Sequence, residues 1–365
     1  MRIKSLNLEN YRNYDSFYAE FDEGVNIIYG ENAQGKTNIL ESIYMCSTGK
    51  SHKGSKENEI IRNGQSEAHV LGEFVSELGN DRVDIHLRKA GSKGIALNHI
   101  ALRKISLLFG KIPVIMFSSE DLDIIKRGPS VRRRFLDVEL CQIDPIYVED
   151  LINYNKIINQ RKELLKTIDR NGEDPDLINT LDVWDLQLVK FGTDIIKRRR
   201  SFIDELNHTV GKIHSELTDG RENLRLIYKP SAEEDNFYEE LLRKRKYDIF
   251  NKLTSVGPHR DDYEFFEKDT DLKIYGSNGQ QRSAALSLKL SEIQIIKENT
   301  KKNPILLLDD VLSELDRNRQ KHLLKAIKET QTIITCTGVD EFIETELGQT
   351  RKFRIHQGRI INEDI

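Results

Sequence analysis

The stretch GENAQGKT, residues Gly30 to Thr37, fits the phosphate-loop pattern G-x-x-x-x-G-K-[ST] at every fixed position. The apolar, β-branched run Val25 to Tyr29 precedes it, and apolar residues recur at helical spacing from Ile39 to Tyr44. Such a loop between a strand and a helix binds phosphate because glycines let backbone N–H groups turn toward an anion at the helix start. The sequence therefore predicts a nucleotide site.

Two side chains of this loop carry specific roles in the prediction. Lys36 is expected to reach the β- and γ-phosphates of ATP, and Thr37 is expected to bind Mg²⁺. A chance match in a glycine turn is the alternative, which the flanking strand and helix disfavour. The predicted nucleotide contacts in the loop are Gly30, Glu31, Asn32, Ala33, Gln34, Gly35, Lys36 and Thr37.

Composition limits the class of protein. The 365 residues suit two lobes, and 38% hydrophobic with 32% charged residues is typical of a globular protein. The net charge is -4, so any nucleic-acid surface must be a local patch. Cys46, Cys141 and Cys336 are far apart, which argues against a zinc hook or a disulfide framework. No apolar run has the length of a membrane span or signal peptide, so we expect a cytoplasmic protein without a membrane partner.

The hydrophobic pattern divides the chain into three parts. Residues 1–120 alternate as strands at 3–8, 17–21, 68–75 and 82–88, with a buried strand at 113–117, and form the first part of an ATPase lobe. Residues 121–257 form a mainly helical lobe, with apolar spacing of about 3.6 residues on both sides of a break at 170–175. This pattern predicts an antiparallel helical pair with arms of about 25 residues.

Residues 258–365 return to a mixed pattern and complete the ATPase lobe. Strands are predicted at Tyr263–Phe266, Leu272–Tyr275, 305–308 and 332–335, and helices at 279–298 and 317–329. A closing hairpin is predicted around Gln357 and Gly358. The predicted fold class is α/β, with a mixed sheet and flanking helices plus a compact helical second lobe.

The run LLLDD, Leu306 to Asp310, supplies the carboxylates that a phosphate loop requires at a strand end. Asp309 is the candidate Mg²⁺ ligand, and Asp310 is the candidate that polarises the attacking water. A buried strand that ends in an acidic turn is the alternative explanation. The presence of the phosphate loop in the same chain favours the catalytic interpretation.

A third motif, Ser277-Asn278-Gly279-Gln280, stands at a helix start, where a hydroxyl and a backbone N–H can meet an anion. A plain helix cap explains it equally well when it is taken alone. The order of motifs favours the anion-binding interpretation over a plain cap. ABC-type ATPases carry, in this order, a phosphate loop, a signature S-x-G-Q, a strand with two acids and an S-x-L-D loop. Here Asp309-Asp310 and Ser313-Glu314-Leu315-Asp316 follow the signature in that order.

The whole set of motifs resembles the RecF family, bacterial DNA replication and repair proteins related to the SMC-type ATPases. The matching segments span nearly the whole chain. They are Leu8–Tyr14, Gly30–Thr37, Arg127–Asp137, Gly257–Asp262, Gly279–Arg282 and Leu308–Asp316.

The resemblance implies a slow ATPase with an ABC-type head that dimerises with ATP, binds duplex and gapped DNA, and helps RecR and RecO load RecA. It implies that Ser277, Gly279 and Gln280 contact ATP held by a second copy, and that Arg12 lies near nucleotide. Asp310 stands where SMC relatives have glutamate, which is consistent with slow hydrolysis. Thr335-Cys336-Thr337 lacks the switch histidine of transporter ATPases.

Three basic runs could neutralise DNA phosphates, although a solvated helix face is the usual explanation of such runs. They are Arg132-Arg133-Arg134, Lys197-Arg198-Arg199-Arg200 and Arg243-Lys244-Arg245-Lys246. The first run could instead brace the lobe interface. His259 and Arg260, beside Asp261 and Asp262, could form a metal or catalytic site, but an ion-pair network that joins the lobes is favoured.

Two functions from other classes stay open at this point. A transporter-coupled ATPase predicts a membrane partner, and the SNGQQR segment at Ser277 to Arg282 departs from the leucine-led transporter signature. A small-molecule kinase with a phosphate loop needs neither the signature helix nor a dimer.

Overall fold

The computed structural model describes residues 1–77, 79–171, 174–338, 345–348 and 350–364. The backbone separates into two compact units, one of residues 1–121 with 286–365 and one of residues 122–285. The predicted first boundary lies one residue from this division, whereas the predicted second boundary, at 257/258, falls earlier in the chain. The division into an ATPase lobe of residues 1–120 and 258–365 and a helical lobe of residues 121–257, each with its own role, stays a prediction.

The first unit contains two sheets. Its antiparallel sheet has the order β2-β1-β4-β5-β6-β7, and its second sheet has the order β15-β14-β3-β13-β12-β8. The antiparallel strands are β1 Arg2–Tyr11, β2 Tyr14–Glu20, β4 Glu67–Ser76, β5 Gly79–Arg88, β6 Gly94–Leu97 and β7 Ile100–Ala101. The strands of the second sheet are β3 Val25–Tyr29, β8 Val114–Ser118, β12 Ile305–Asp309, β13 Thr332–Cys336, β14 Arg351–His356 and β15 Arg359–Asp364.

In the second sheet, all neighbouring pairs are parallel except the closing hairpin of β14 and β15. Four strands, β3, β8, β12 and β13, are largely buried on both faces, as parallel strands require. Because their carboxyl ends meet at one edge, the residues that follow Tyr29, Ser118 and Asp309 lie on the same side of the sheet. The entry strands β1 and β2 belong to the other sheet, which the sequence pattern could not distinguish.

Helices complete both units. They are α1 Lys36–Thr48, α2 Glu57–Ile60, α3 Asp123–Lys126, α4 Pro129–Ile143, α5 Pro145–Asn171, α6 Pro175–Leu217, α7 Phe237–Asn251, α8 Leu272–Tyr275, α9 Asn278–Thr300 and α10 Arg317–Ile327. Among the described helices, none combines the length and the apolar composition needed to cross a membrane. The three cysteines are free and buried.

The helical pair of the second unit is α5 and α6. α5 has 27 residues, close to the predicted arm, but α6 has 43, so the prediction of about 25 residues was wrong for this arm. The predicted apolar seam ended at Leu206, but the buried side chains of Val210, His214 and Leu217 extend it to the end of α6. The predicted break includes Gly172 and Glu173, which lie outside the described residues.

The second unit also contains a small antiparallel sheet that the sequence pattern only partly predicted. Its order is β11-β10-β9, with β9 Leu224–Lys229, β10 Asp262–Glu267 and β11 Thr270–Asp271. β9 was missed because it follows directly on a long helical pattern. The strand predicted at Leu272–Tyr275 is wrong, since this segment is the single helical turn α8. Asp271 caps it by accepting a 2.7 Å hydrogen bond from the Lys273 N–H.

Candidate nucleotide site

The loop from Gly30 to Lys36 is held in shape by the turn between β1 and β2. Gly35 has φ 111°, and a Cβ atom there would lie 2.5 Å from the Asn13 amide nitrogen and 2.8 Å from the Tyr14 hydroxyl. Asn13 Nδ2 donates a 2.8 Å hydrogen bond to Gln34 O, and Tyr14 Oη donates one of 3.0 Å to Gly35 O. The position therefore requires glycine for its backbone angle and for the close approach of its neighbours.

Among the remaining loop residues, Gln34 takes part through its side chain, whereas the side chains before it lie open to solvent. Gln34 accepts a 2.6 Å hydrogen bond from the Gln357 N–H, which ties the loop to the β14–β15 hairpin. Ala33 has φ 64°, a left-handed conformation that is uncommon outside glycine. The side chains of Glu31, Asn32 and Ala33 are exposed.

Lys36 is the first residue of α1 and is only 7% exposed. Its Nζ donates hydrogen bonds of 2.7 Å to Gly30 O and 2.8 Å to Glu31 O. An ammonium group carries three donors, and a buried cation is costly unless it is fully partnered. Within the described residues these two carbonyls are its hydrogen-bond acceptors, so the group can still donate to an anion above the loop.

Thr37 and Asp309, the two predicted Mg²⁺ ligands, are in direct contact. Thr37 Oγ1 donates a 2.8 Å hydrogen bond to Asp309 Oδ1, and Thr335 Oγ1 donates another of 2.8 Å to the same oxygen. A hydroxyl beside a carboxylate at a strand end is a donor set that suits Mg²⁺, which prefers oxygen ligands. Thr335 was not predicted as a partner, but the parallel register pairs it directly with Asp309.

Asp310 is held in an uncommon conformation. It has φ 57° in the left-handed region, and its N–H points to Thr335 O at 3.2 Å and Thr335 Oγ1 at 3.1 Å. Its Oδ1 is buried and has no hydrogen-bond partner among the described residues. A strained residue with an unpartnered buried carboxylate oxygen is typical of a functional site, because either feature alone costs free energy.

Arg12 lies on the segment between β1 and β2, with φ 54°. Its guanidinium forms a bidentate pair with Glu41 of α1, through Nε at 2.8 Å and Nη2 at 2.6 Å. Burial would raise the pKa of Glu41, but hydrogen bonds from Arg12 and Ser51 outweigh it and hold the pKa below its ordinary value. Arg12 thus braces the helix that follows the loop.

A cleft of about 540 Å³ opens beside this pair and contains Arg12 in its wall. The predicted nearness of Arg12 to nucleotide stays a prediction. Glu41 was missed, although a single carboxylate within the apolar run of α1 was a usable signal. The lining residues are Arg12, Asn13, Asn38, Asn58, Glu59, Ile61, Asn63 and Lys89.

The signature residues belong to the second unit. The Ser277 N–H donates a 2.9 Å hydrogen bond to Gln280 Oε1, and the Gln280 N–H donates one of 3.2 Å to Ser277 Oγ. This reciprocal pair is a capping box at the start of α9. Ser277, Asn278 and Gly279 are exposed, so the start of this 23-residue helix faces solvent.

The structure thus brings Lys36, Thr37, Asp309 and Asp310 together in the first unit. Ser277, Gly279 and Gln280 lie in the second unit at one helix start. The sequence singled out these residues because each belongs to a short local motif, and their roles stay a prediction.

The arginines of the basic runs are largely engaged with carboxylates. Arg132 forms a bidentate pair with Asp262 at 2.6 and 2.8 Å, and Arg245 contacts Asp182 and Asp185 at 2.6 Å each. Further pairs join Arg198 to Asp144, Arg200 to Glu233 and Glu234, and Arg243 to Glu240. Most of the arginine charge in these runs is therefore already paired with carboxylates, which weakens their interpretation as DNA contacts.

Arg199 is 2% exposed and lies at the centre of a buried polar network. It donates to Tyr147 Oη at 3.0 Å, Pro258 O at 2.6 Å and Asp137 Oδ1 at 2.7 Å. Asp261, 1% exposed, accepts a 2.8 Å hydrogen bond from the Ser231 N–H and another from Tyr228 Oη. All these residues belong to the second unit, so the network holds that unit together and the prediction that it joins the lobes was wrong.

His259 is a structural residue within the same unit. Its Nε2 lies 2.8 Å from Thr254 O, which fixes the proton there, and its Nδ1 accepts a 2.7 Å hydrogen bond from Tyr154 Oη. Burial lowers the pKa of His259 to about 4. Both ring nitrogens are thus occupied, which favours the structural interpretation over a metal or catalytic site.

Known proteins resemble the chain over its full length. A family model described as the RecF/RecN/SMC N terminal domain matches residues 2–347. The DNA replication and repair protein RecF of Lachnospira eligens is 52% identical over 364 residues, with 100% of both chains covered. The RecF protein of Agathobacter rectalis is 52% identical over 360 residues, with 99% of each chain covered.

A solved structure agrees with these relatives. The recombination mediator protein RecF-ATP of the RecFOR pathway has a TM-score of 0.92 and 36% identity, with 100% of this chain and 97% of that chain covered. The predicted α/β fold of an ABC-type ATPase head is confirmed by this match and by the family model. The chain belongs to the RecF family.

Proposed function

We propose that the chain is an ATP-dependent DNA-binding protein of recombinational repair and replication restart, which acts in the cytoplasm. ATP joins two copies on duplex or gapped DNA, and the dimer helps RecO and RecR to load RecA. The observation that carries the proposal is the junction of Lys36, the Thr37–Asp309 pair and the unpartnered Asp310 oxygen at one sheet edge. The names of the relatives, and the ATP named with the solved one, support it.

The residues of the first unit divide the work on the nucleotide. Lys36 holds the β- and γ-phosphates, and Thr37 and Asp309 hold Mg²⁺, with Thr335 fixing the Asp309 carboxylate. Mg²⁺ neutralises charge on the phosphate oxygens when it is bound. Asp310 Oδ1 accepts a hydrogen bond from the attacking water. Because aspartate is one methylene shorter than the glutamate of SMC relatives, this water is held less closely and hydrolysis is slow enough for a switch.

The signature residues complete the site of a second copy. Ser277 Oγ and the Gly279 N–H stand at the exposed start of α9, where the helix dipole favours an anion. The capping box with Gln280 orients the serine before any nucleotide arrives. ATP therefore acts as the link between two chains, and its γ-phosphate decides whether the link forms.

Sizing by light scattering tests the dimer. Wild-type protein is expected to double in mass with ATP and Mg²⁺, whereas Ser277→Arg keeps ATP binding and stays a monomer. Ser201→Arg places the same side chain on another exposed serine of the second unit and is expected to dimerise normally. A Ser277→Arg variant that dimerises as wild type does contradicts the two-copy site.

DNA contact is more consistent with a lysine-bearing loop of the first unit than with the arginine runs. In this loop, residues 50–56, Lys50, Lys53 and Lys56 are exposed and form no ion pair with a described carboxylate. Ser51 Oγ donates to Glu41 of α1, and Arg12 Nη2 donates to Ser55 Oγ at 2.8 Å. Hydrogen bonds thus connect this lysine-bearing loop to α1, the helix that starts at the phosphate loop.

Charge reversal separates the two surfaces. The triple variant with glutamate at Lys50, Lys53 and Lys56 is expected to bind duplex at least about tenfold more weakly, with a shallower salt dependence. A control with glutamate at Lys197, Lys244 and Lys246 changes net charge equally within the second unit and is expected to bind nearly as wild type. If only the control loses affinity, DNA binds the second unit instead.

The family assignment favours this function over a transporter-coupled ATPase and over a small-molecule kinase. Both alternatives predict ATP turnover that is indifferent to DNA. ATP turnover measured with and without gapped duplex distinguishes them, since the proposed switch responds to DNA. Direct binding to RecR, and to RecO, is part of the proposal and is tested by pull-down with ATP and gapped DNA present.

A further inference from the structure

Two histidines face each other on the solvent side of the antiparallel sheet. In the register of β4 and β5, His69 stands opposite His86, and Glu67 stands opposite Arg88. Side chains alternate along a strand, so Glu67 and His69 share one face. The other face carries Val70 and the residues around it, which are buried in the core of the first unit. The core therefore fixes which way the two histidines point.

The three donor groups lie close together. The imidazole rings of His69 and His86 stack with centroids 4.0 Å apart and an interplanar angle of 24°. His86 Nε2 lies 2.8 Å from Glu67 Oε2, and one ligand atom from each of the three residues lies within 4.8 Å of the others. Small side-chain rotations can therefore bring two imidazole nitrogens and a carboxylate oxygen around one ion.

We propose that Glu67, His69 and His86 bind one divalent transition-metal ion of the Zn²⁺ class on the outer face of β4 and β5. Two imidazoles with one carboxylate form a donor set typical of Zn²⁺, and the fourth position is left to water. Mg²⁺ and Ca²⁺ prefer oxygen ligands, so the site selects against the ion proposed for Thr37 and Asp309.

A neighbouring strand offers a further oxygen donor. Glu9 of β1 stands opposite His69 in the β1–β4 register and is exposed. A rotamer change brings its carboxylate toward His69, so β1, β4 and β5 can all be tied by one ion. Metal binding is then expected to stabilise this sheet by mass action, because the unfolded chain has no preformed site.

Arg88 competes with the metal. Its Nη2 donates a 2.8 Å hydrogen bond to His86 Nδ1, and arginine can only donate. His86 therefore carries its proton on Nε2, toward Glu67. When Nε2 binds the metal, Nδ1 carries the ring proton, and the exposed Arg88 side chain turns away because it can no longer donate to Nδ1. Removing Arg88 is expected to strengthen metal binding.

Calorimetric titration of the full chain with ZnCl₂, after treatment with a chelator, tests the site. Wild type is expected to bind one ion per chain, and His69→Ala and His86→Ala are each expected to weaken binding at least about tenfold. Arg88→Gln is expected to tighten it severalfold, which a folding defect could not imitate. His208→Ala, on an exposed helical histidine, is the matched control and leaves affinity unchanged.

A second readout identifies the ligands. Co²⁺ in place of Zn²⁺ is expected to give a visible absorption band in wild type and Arg88→Gln but not in His86→Ala. Equal Zn²⁺ affinity of wild type, His69→Ala and His86→Ala overturns the proposal. So does an Arg88→Gln variant that binds more weakly than wild type does.

Discussion

Thr37 Oγ1 lies 2.8 Å from Asp309 Oδ1, although 272 positions separate the two residues in the chain. Thr37 is the second residue of α1, which follows β3 through the phosphate loop. Asp309 is the last residue of β12, and β12 is not a direct neighbour of β3 in the sheet. The strand between them, β13, adds Thr335 to the same carboxylate oxygen. Two hydroxyls thus donate to one carboxylate oxygen, and only one of them is proposed to bind Mg²⁺.

Isosteric variants distinguish the two hydroxyls. Thr37→Val removes a proposed Mg²⁺ ligand and is expected to weaken ATP binding at least about tenfold when Mg²⁺ is present, since hydrogen bonds and ligands to charged groups contribute about 1.5–3 kcal/mol. Thr335→Val removes only the second hydrogen bond and is expected to have the smaller effect. Titration with a fluorescent nucleotide, with and without Mg²⁺, measures both. Equal Mg²⁺-dependent losses would contradict the assignment.

Asp310→Asn is expected to uncouple hydrolysis from binding. Asparagine tolerates the left-handed backbone at this position, so the loop keeps its conformation. Loss of the carboxylate is expected to slow single-turnover hydrolysis by about 10²-fold or more, with ATP affinity nearly unchanged. Asp174→Asn changes the cap of α6 in the second unit and serves as the control. Wild-type hydrolysis by Asp310→Asn would show that another group positions the water.

Substitutions of Arg199 and Arg200, which are neighbours in one basic run, are expected to change the free energy of unfolding by very different amounts. Arg199→Lys leaves Asp137, Asp261 and Tyr147 short of donors in a buried network and is expected to cost about 3–5 kcal/mol of unfolding free energy. Arg200→Lys alters a half-exposed pair and is expected to cost less than about 1 kcal/mol. Urea denaturation compares them. Similar midpoints for the two variants would mean that the buried network contributes little.

His259 makes stability depend on pH. Its folded pKa of about 4 lies below the ordinary value of 6.5, so the unfolded chain takes up a proton first as the pH falls. The stabilising contribution is complete above pH 6.5 and is lost between about pH 6.5 and pH 4. At about 1.4 kcal/mol for each pKa unit, the loss is about 3 kcal/mol.

Urea denaturation of wild type and His259→Gln from pH 7 to pH 4.5 measures this contribution. Carboxylates elsewhere titrate equally in both proteins, so the difference between the two curves reports the histidine. The wild type is expected to lose more stability across this range than the variant. Parallel curves would mean that the imidazole titrates normally in the folded protein.

The motifs that the sequence allowed us to pick out are local ones. The phosphate loop, the two acids at the end of β12 and the cap at Ser277 are short patterns whose neighbours in the chain provide their context. Thr335 and Glu41 were missed because their roles depend on strand register and on a turn that folds back along a helix. The partners of Arg199 include Pro258 and Asp261, about 60 residues away, which no local pattern reveals.

The end of α6 and the helical turn α8 were predicted wrongly for a related reason. α6 continues past Leu206 because buried residues at its far end pack within the second unit, and tertiary packing extends a helix beyond the stretch that looks periodic. The strand predicted at Leu272–Tyr275 became a helical turn because one aspartate side chain caps it. Single hydrogen bonds of this kind outweigh propensity over four residues.

The ammonium of Lys36 already donates to Gly30 O and Glu31 O. A phosphate that approaches this lysine therefore exchanges with carbonyls of the same loop, so nucleotide affinity reflects the difference between two sets of hydrogen bonds. Substitutions that shift those two carbonyls would alter ATP affinity without touching the nucleotide. The carbonyl groups of the loop thus compete with the phosphate for the lysine, and the conformation of the loop without nucleotide helps to set the ATP affinity.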